Sequence, residues 1–96
     1  MFIVLLKYSG NREPSDQLTE GHMKWVKRGL DESVFFLVGS IEPERGGAIL
    51  AHGISLSDLK KRVDEDPFVS EKIVSAEILE VTPFKTDKRF KFLLEE

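Results

Sequence analysis

Two apolar runs that refuse to alternate constrain this chain more than any other feature. A strand with one wet face alternates apolar and polar residues. In "MFIVLLKY", Phe2, Val4 and Leu6 point one way while Ile3 and Leu5 point the other. In "SVFFLVGS", Val34, Phe36 and Val38 are interleaved with Phe35 and Leu37. Both faces of such a sheet need a cover. Only two segments have the periodicity of an amphipathic helix, and two helices cover one face.

The first helical segment is read over residues 15–32, with Ser15 after Pro14 as N-cap and Asp16 in the first turn, where the macrodipole favours a negative charge. Leu18, Trp25, Gly29 and Val26 gather on one side at about 100° per residue, opposite Glu20, Lys24, Lys27 and Arg28. The second is "SLSDLKKRVDED", with Leu56, Leu59 and Val63 on one side; the Asp66-Pro67 step ends it, because a residue before proline is pushed out of the helical region. "GAILAHG" reads as a third strand, joined to the second through "IEPERGG", and "IVSAEILEVTPF" as the last. The order is βαββαβ. It predicts a ferredoxin-like α+β fold, with an antiparallel sheet and both helices on one face. The uncovered apolar face would exceed what a monomer tolerates, so a homodimer joined through sheet faces is expected.

At 96 residues the chain reads as one domain, with a core over about 2–84 and a charged extension over 85–96. The extension carries Lys85, Lys88, Arg89 and Lys91 around Phe90 and Phe92, read as a solvated tail anchored on the body or on a neighbouring subunit, where it can build a higher oligomer. Seventeen acidic against 14 basic residues give a net charge of −3, which argues against nucleic acid as a partner. The absence of cysteine excludes disulfides and thiolate chemistry and fits the cytoplasm. "MFIVLL" is too short to span a bilayer, so no membrane partner is expected. With two histidines and no phosphate-binding glycine pattern, no metal and no cofactor are expected, and His52 reads as a loop residue.

His22 lies in the middle of the apolar stripe of the first helix. A buried ring nitrogen without a partner costs about 1–3 kcal/mol, so one is required. Two readings stand at this point: a core histidine bonded to backbone or water, and a proton-transfer residue at the mouth of a pocket. Asp66 sits at the helix-to-loop break, where Pro67 holds its backbone extended and Phe68 anchors the turn. The plain alternative is a polar residue at a helix end.

Taken in order, His22 with an aromatic three residues on, Gly39 ending the second strand, Gly46-Gly47 opening the third, Asp66-Pro67-Phe68, and Pro83-Phe84 closing the last strand resemble the YCII-related (YciI-like) family. The likeness covers residues 2 to about 84. It implies a dimeric α+β barrel and a cleft in which His22 and Asp66 form a proposed catalytic pair. A carboxylate beside an imidazole fixes its tautomer and favours the protonated ring. That suits elimination or isomerisation of a small cyclic or enol-forming molecule. Trp25, Phe35, Phe36 and Phe68 can supply apolar walls, and Ser40, standing where the family commonly has proline, brings a hydroxyl near; Ser40, Trp25 and Phe68 are the candidate substrate-binding residues. A non-catalytic small-molecule-binding or regulatory module on the same fold is the alternative.

Overall fold

A computed structural model describes residues 1–10 and 12–95; Asn11 of the turn-rich segment and Glu96 at the tip of the extension lie outside the described residues. The elements are β1 (Phe2–Tyr8), α1 (Asp16–Asp31), β2 (Phe35–Ile41), β3 (Gly46–Ala51), α2 (Leu56–Asp64), α3 (Pro67–Ser70), β4 (Val74–Glu80) and a C-terminal 3₁₀ helix (Lys88–Leu94). The four strands form one sheet in the order β2-β3-β1-β4, every neighbouring pair antiparallel. This is the ferredoxin-like α+β fold.

The period-2 geometry of strands divides the sheet residues cleanly. Phe2, Val4 and Leu6 of β1 and Ile49 and Ala51 of β3 are buried, and they pack with Trp25 and Val26 of α1 and Leu59 and Val63 of α2. The Leu37–Leu50–Ile3–Leu79 row lies on the other face by register. Leu37 is 48% exposed and Leu79 41%. This face has no helix over its centre. At one end, Phe92 of the 3₁₀ helix folds back so that its ring meets Phe36 and His52 at centroid distances of 5.4 and 4.9 Å. Phe36 is the extra residue of a bulge between Phe35 and Leu37, and past it the alternation shifts by one. Phe35 and Val38 therefore lie on the helix side while Leu37 joins Leu50 on the other, and the sequence pairing of Phe35 with Leu37 on one side does not hold. Asp87 caps the 3₁₀ helix; the Arg89 guanidinium and then its backbone N–H hold the Asp87 carboxyl below its ordinary 3.8, so the cap persists into acid.

The cap of α1 matches the sequence reading, Ser15 accepting from the Leu18 N–H at 3.1 Å; α2 is capped in the same way by Ser55, which the sequence reading did not single out and which accepts from the Asp58 N–H at 3.1 Å. The last strand is shorter than the pattern predicts. It stops at Glu80 instead of Phe84, since its partner β1 begins at Phe2, opposite Glu80, and Pro83 has no N–H to give a ladder. Pro67 does more than stop α2. It starts a separate turn, α3, for which Asp66 is the N-cap.

Gly29 sits where α1 crosses β2. A Cβ there would fall 2.1 Å from Cδ2 of Phe35, a fully buried ring that also packs edge-on against Trp25. Gly29→Ala should therefore cost about 1–3 kcal/mol by overpacking, read as a lower urea midpoint at unchanged slope. Among the described residues no helix is long and apolar enough to cross a membrane.

Candidate active site

His22 projects from the second turn of α1, on the side where α3 packs. Gly21 makes that approach close: a Cβ there would sit 3.2 Å from Cγ of Pro67. A glycine inside a helix costs about 1 kcal/mol against alanine, which is itself a sign of close approach; the sequence reading passed over it. With the helices this near, His22 Nδ1 lies 2.8 Å from Asp66 Oδ1.

The carboxylate is placed by its own backbone. As N-cap of α3, Asp66 Oδ1 also accepts the Phe68 N–H at 3.1 Å. One oxygen thus takes two hydrogen bonds, from the turn and from the imidazole. The other, Oδ2, is buried with no hydrogen-bond partner among the described residues, and the residue as a whole is 0% exposed. Asp66 thus faces the N-terminal end of a turn, where its oxygen meets a free backbone N–H, and not the carbonyl end of α2.

The same turn fixes the plane of the imidazole. Phe68, two residues on, stacks on His22 with the rings 4.1 Å apart and 2° from parallel. With Nδ1 bonded to a carboxylate oxygen, that nitrogen carries a hydrogen and Nε2 is the nitrogen left for a ligand. The ring is 17% exposed. It opens on a cavity of about 400 Å³, within the usual range for a small-molecule site.

The cavity floor is the helix-facing side of the sheet at the end where β1 and β2 finish and β3 begins. Leu6, Val38 and Ile49 form the apolar part; Gly46 and Gly47 leave room that larger residues would fill. Ser40 and Phe68 both line it. Trp25 does not hold the position expected of it: it is buried behind His22, centroids 5.9 Å apart, and gives its indole N–H to the Arg62 carbonyl at 2.9 Å. An indole buried in a small core must bond its N–H, and a carbonyl in the last turn of α2, which also accepts from the Glu65 N–H, provides the acceptor. Phe35 lies in the core and Phe36 at the far end of the sheet, so neither is a wall of the site. The sequence reading missed Tyr8, Thr19, Met23 and Val26, which also line the cavity. Two of these, Thr19 and Val26, were findable, since residues three before and four after His22 share its side of a helix. Among the described residues, no group of three or more His, Asp or Glu comes together to hold a metal.

Fold and site together define the class: a ferredoxin-like α+β chain with a hydrogen-bonded His and Asp beside a small-molecule-sized cavity. No family model and no curated protein matches the chain. Among solved structures it is similar to 5-chloro-2-hydroxyhydroquinone dehydrochlorinase (TftG) from Burkholderia phenoliruptrix, determined in complex with 2,5-dihydroxybenzoquinone. The TM-score is 0.60 over 93% of this chain and 98% of that one, at 11% sequence identity. The likeness is one of fold.

Proposed function

We propose that the chain is a small enzyme of the YciI-like type that moves a proton on a small cyclic or enol-forming molecule, by elimination or isomerisation. The observation that carries this reading is the 2.8 Å contact between His22 and a fully buried Asp66 at the wall of the cavity. Asp66 holds the Nδ1–H, so the Nε2 lone pair faces the ligand and takes a proton from carbon or hydroxyl; the same nitrogen returns it to the leaving group or to the product. Stacking on Phe68 and the bond to Asp66 restrain both the tilt and the rotation of the ring. Such restraint is what a proton-transfer group needs, and such groups contribute about 10²–10⁴-fold. The hydroxyl of Ser40 is on hand for a substrate oxygen that gains charge during the reaction, whereas that of Thr19 donates to the Ser15 carbonyl at 3.0 Å. The fold neighbour is named for dehydrochlorination and was solved with a dihydroxylated quinone, which agrees with elimination on a small ring.

His22→Ala and Asp66→Asn should each lower turnover by at least about 10²-fold while leaving the folded assembly intact. Retained activity in either variant overturns the reading. A compound that binds and is recovered unchanged after long incubation makes the chain a binding module instead.

The bare apolar row on the second sheet face supports a homodimer formed sheet to sheet, in the cytoplasm, the compartment a cysteine-free chain fits. Sedimentation at micromolar concentration should give twice the 10.9 kDa chain mass; a monomer would count against the assembly.

A further inference from the structure

We infer that the cavity beside His22 admits uncharged rings and turns away anionic ones, with Glu42 and Glu44 of the β2–β3 turn setting the choice. This rests on the proposed function for the identity of the site, but it concerns the charge of the ligand and not the reaction.

The inner cavity offers hydroxyls from Tyr8, Thr19 and Ser40 and the His22 imidazole; its other lining residues are apolar or glycine, and none of the described residues lining it is Lys, Arg, Asp or Glu. A carboxylate or phosphate drawn in would lose its water and meet no fixed cation. The imidazole supplies no unmatched cation, because its Nδ1 faces Asp66, whose Oδ2 is buried with no partner among the described residues, so that a protonated ring and this carboxylate together carry no net positive charge. An anion at Nε2 would share one ring with a second negative group.

The way in adds to this. A larger outer hollow, about 790 Å³, shares Tyr8, Pro14, Ser40 and Gly46 with the inner cavity. Its charged lining residues are Glu13, Glu42 and Glu44 against Arg12. Arg12 is engaged elsewhere: its Nη2 donates to the Glu71 carbonyl at 2.7 Å and lies 3.7 Å from the Glu71 carboxylate. The entrance is therefore negative, and at low salt that field reaches an approaching anion. Neutral rings cross it freely, and anionic rings are repelled before they reach a cavity with nothing to hold them.

Hydroquinone and 2,5-dihydroxybenzoate test this, since they share a ring and differ by a carboxylate. Binding is followed by NMR through the backbone amides of Ser40, Gly46 and Gly47 and the ring protons of His22. Hydroquinone should bind at least tenfold tighter at low salt. The gap should narrow in high salt and in the double variant Glu42→Gln/Glu44→Gln, whose two positions are exposed and leave the core untouched. Equal or tighter binding of the dihydroxybenzoate overturns the charge rule while leaving the site in place. A gap unchanged in the double variant overturns the part given to the two glutamates. Shifts from neither ring overturn the functional reading, and the inference with it.

Discussion

Gly46→Ala should cost at least about 3 kcal/mol and lower the melting temperature by roughly 12 °C or more. Gly46 has φ +133, a region that L side chains rarely adopt, and an added Cβ would lie 1.9 Å from the carbonyl oxygen of Leu6. That oxygen belongs to the backbone of β1, a central strand hydrogen-bonded on both sides, so it cannot swing aside as a side chain would. Strain and clash then add. The neighbouring glycine is the control: a Cβ at Gly47 would meet the Gly39 carbonyl at 3.5 Å, an ordinary contact. Gly47→Ala should fold within about 1 kcal/mol of the natural chain while narrowing the cavity. Equal melting temperatures for the two variants would contradict the register at this end of the sheet.

Asp66→Ala should cost about 2–4 kcal/mol, whereas Asp66→Asn should cost about 1 kcal/mol. Alanine removes the N-cap of α3 and strands two donors, the Phe68 N–H and the His22 Nδ1–H. Asparagine keeps a carbonyl oxygen where Oδ1 stands, so both donors retain an acceptor, and the cost that remains is that of burying its amide N–H groups where Oδ2 has no partner among the described residues. Urea unfolding separates the two variants. The comparison also divides the roles of Asp66: the acceptor oxygen holds the turn and the imidazole, and the negative charge is what the proposed proton transfer would draw on. An alanine variant as stable as the natural chain would mean that the two bonds to Oδ1 contribute nothing net.

Much of the site was legible because its parts are local. Ser15 capping the first helix, His22 in mid-stripe and Pro67 ending the second helix each follow from residues within one or two turns, and local rules reach that far. Pairing His22 with Asp66 across 44 positions came from resemblance to a family, not from periodicity. The role of Phe68 was half seen: it lines the cavity as expected, but its stacking on the imidazole depends on how α3 meets α1. Trp25 was misplaced for a related reason. The helical wheel gives a direction from the axis, and both the cavity and the core lie on the inner side of α1.

The sequence by itself determined the order of the strands and the two longer helices, the cap of the first helix, the two-sided apolar character of the strands and the placing of a histidine where it must find a partner. These depend on chain spacing and on the chemistry of single residues. Only the tertiary structure decided which oxygen meets which nitrogen, that Asp66 caps a new turn instead of ending an old one, and that Gly46 and Gly47 open onto a cavity. Those outcomes arise where segments far apart in the chain come within 3 Å, and close packing settles contacts at that scale through the shape of every neighbour at once.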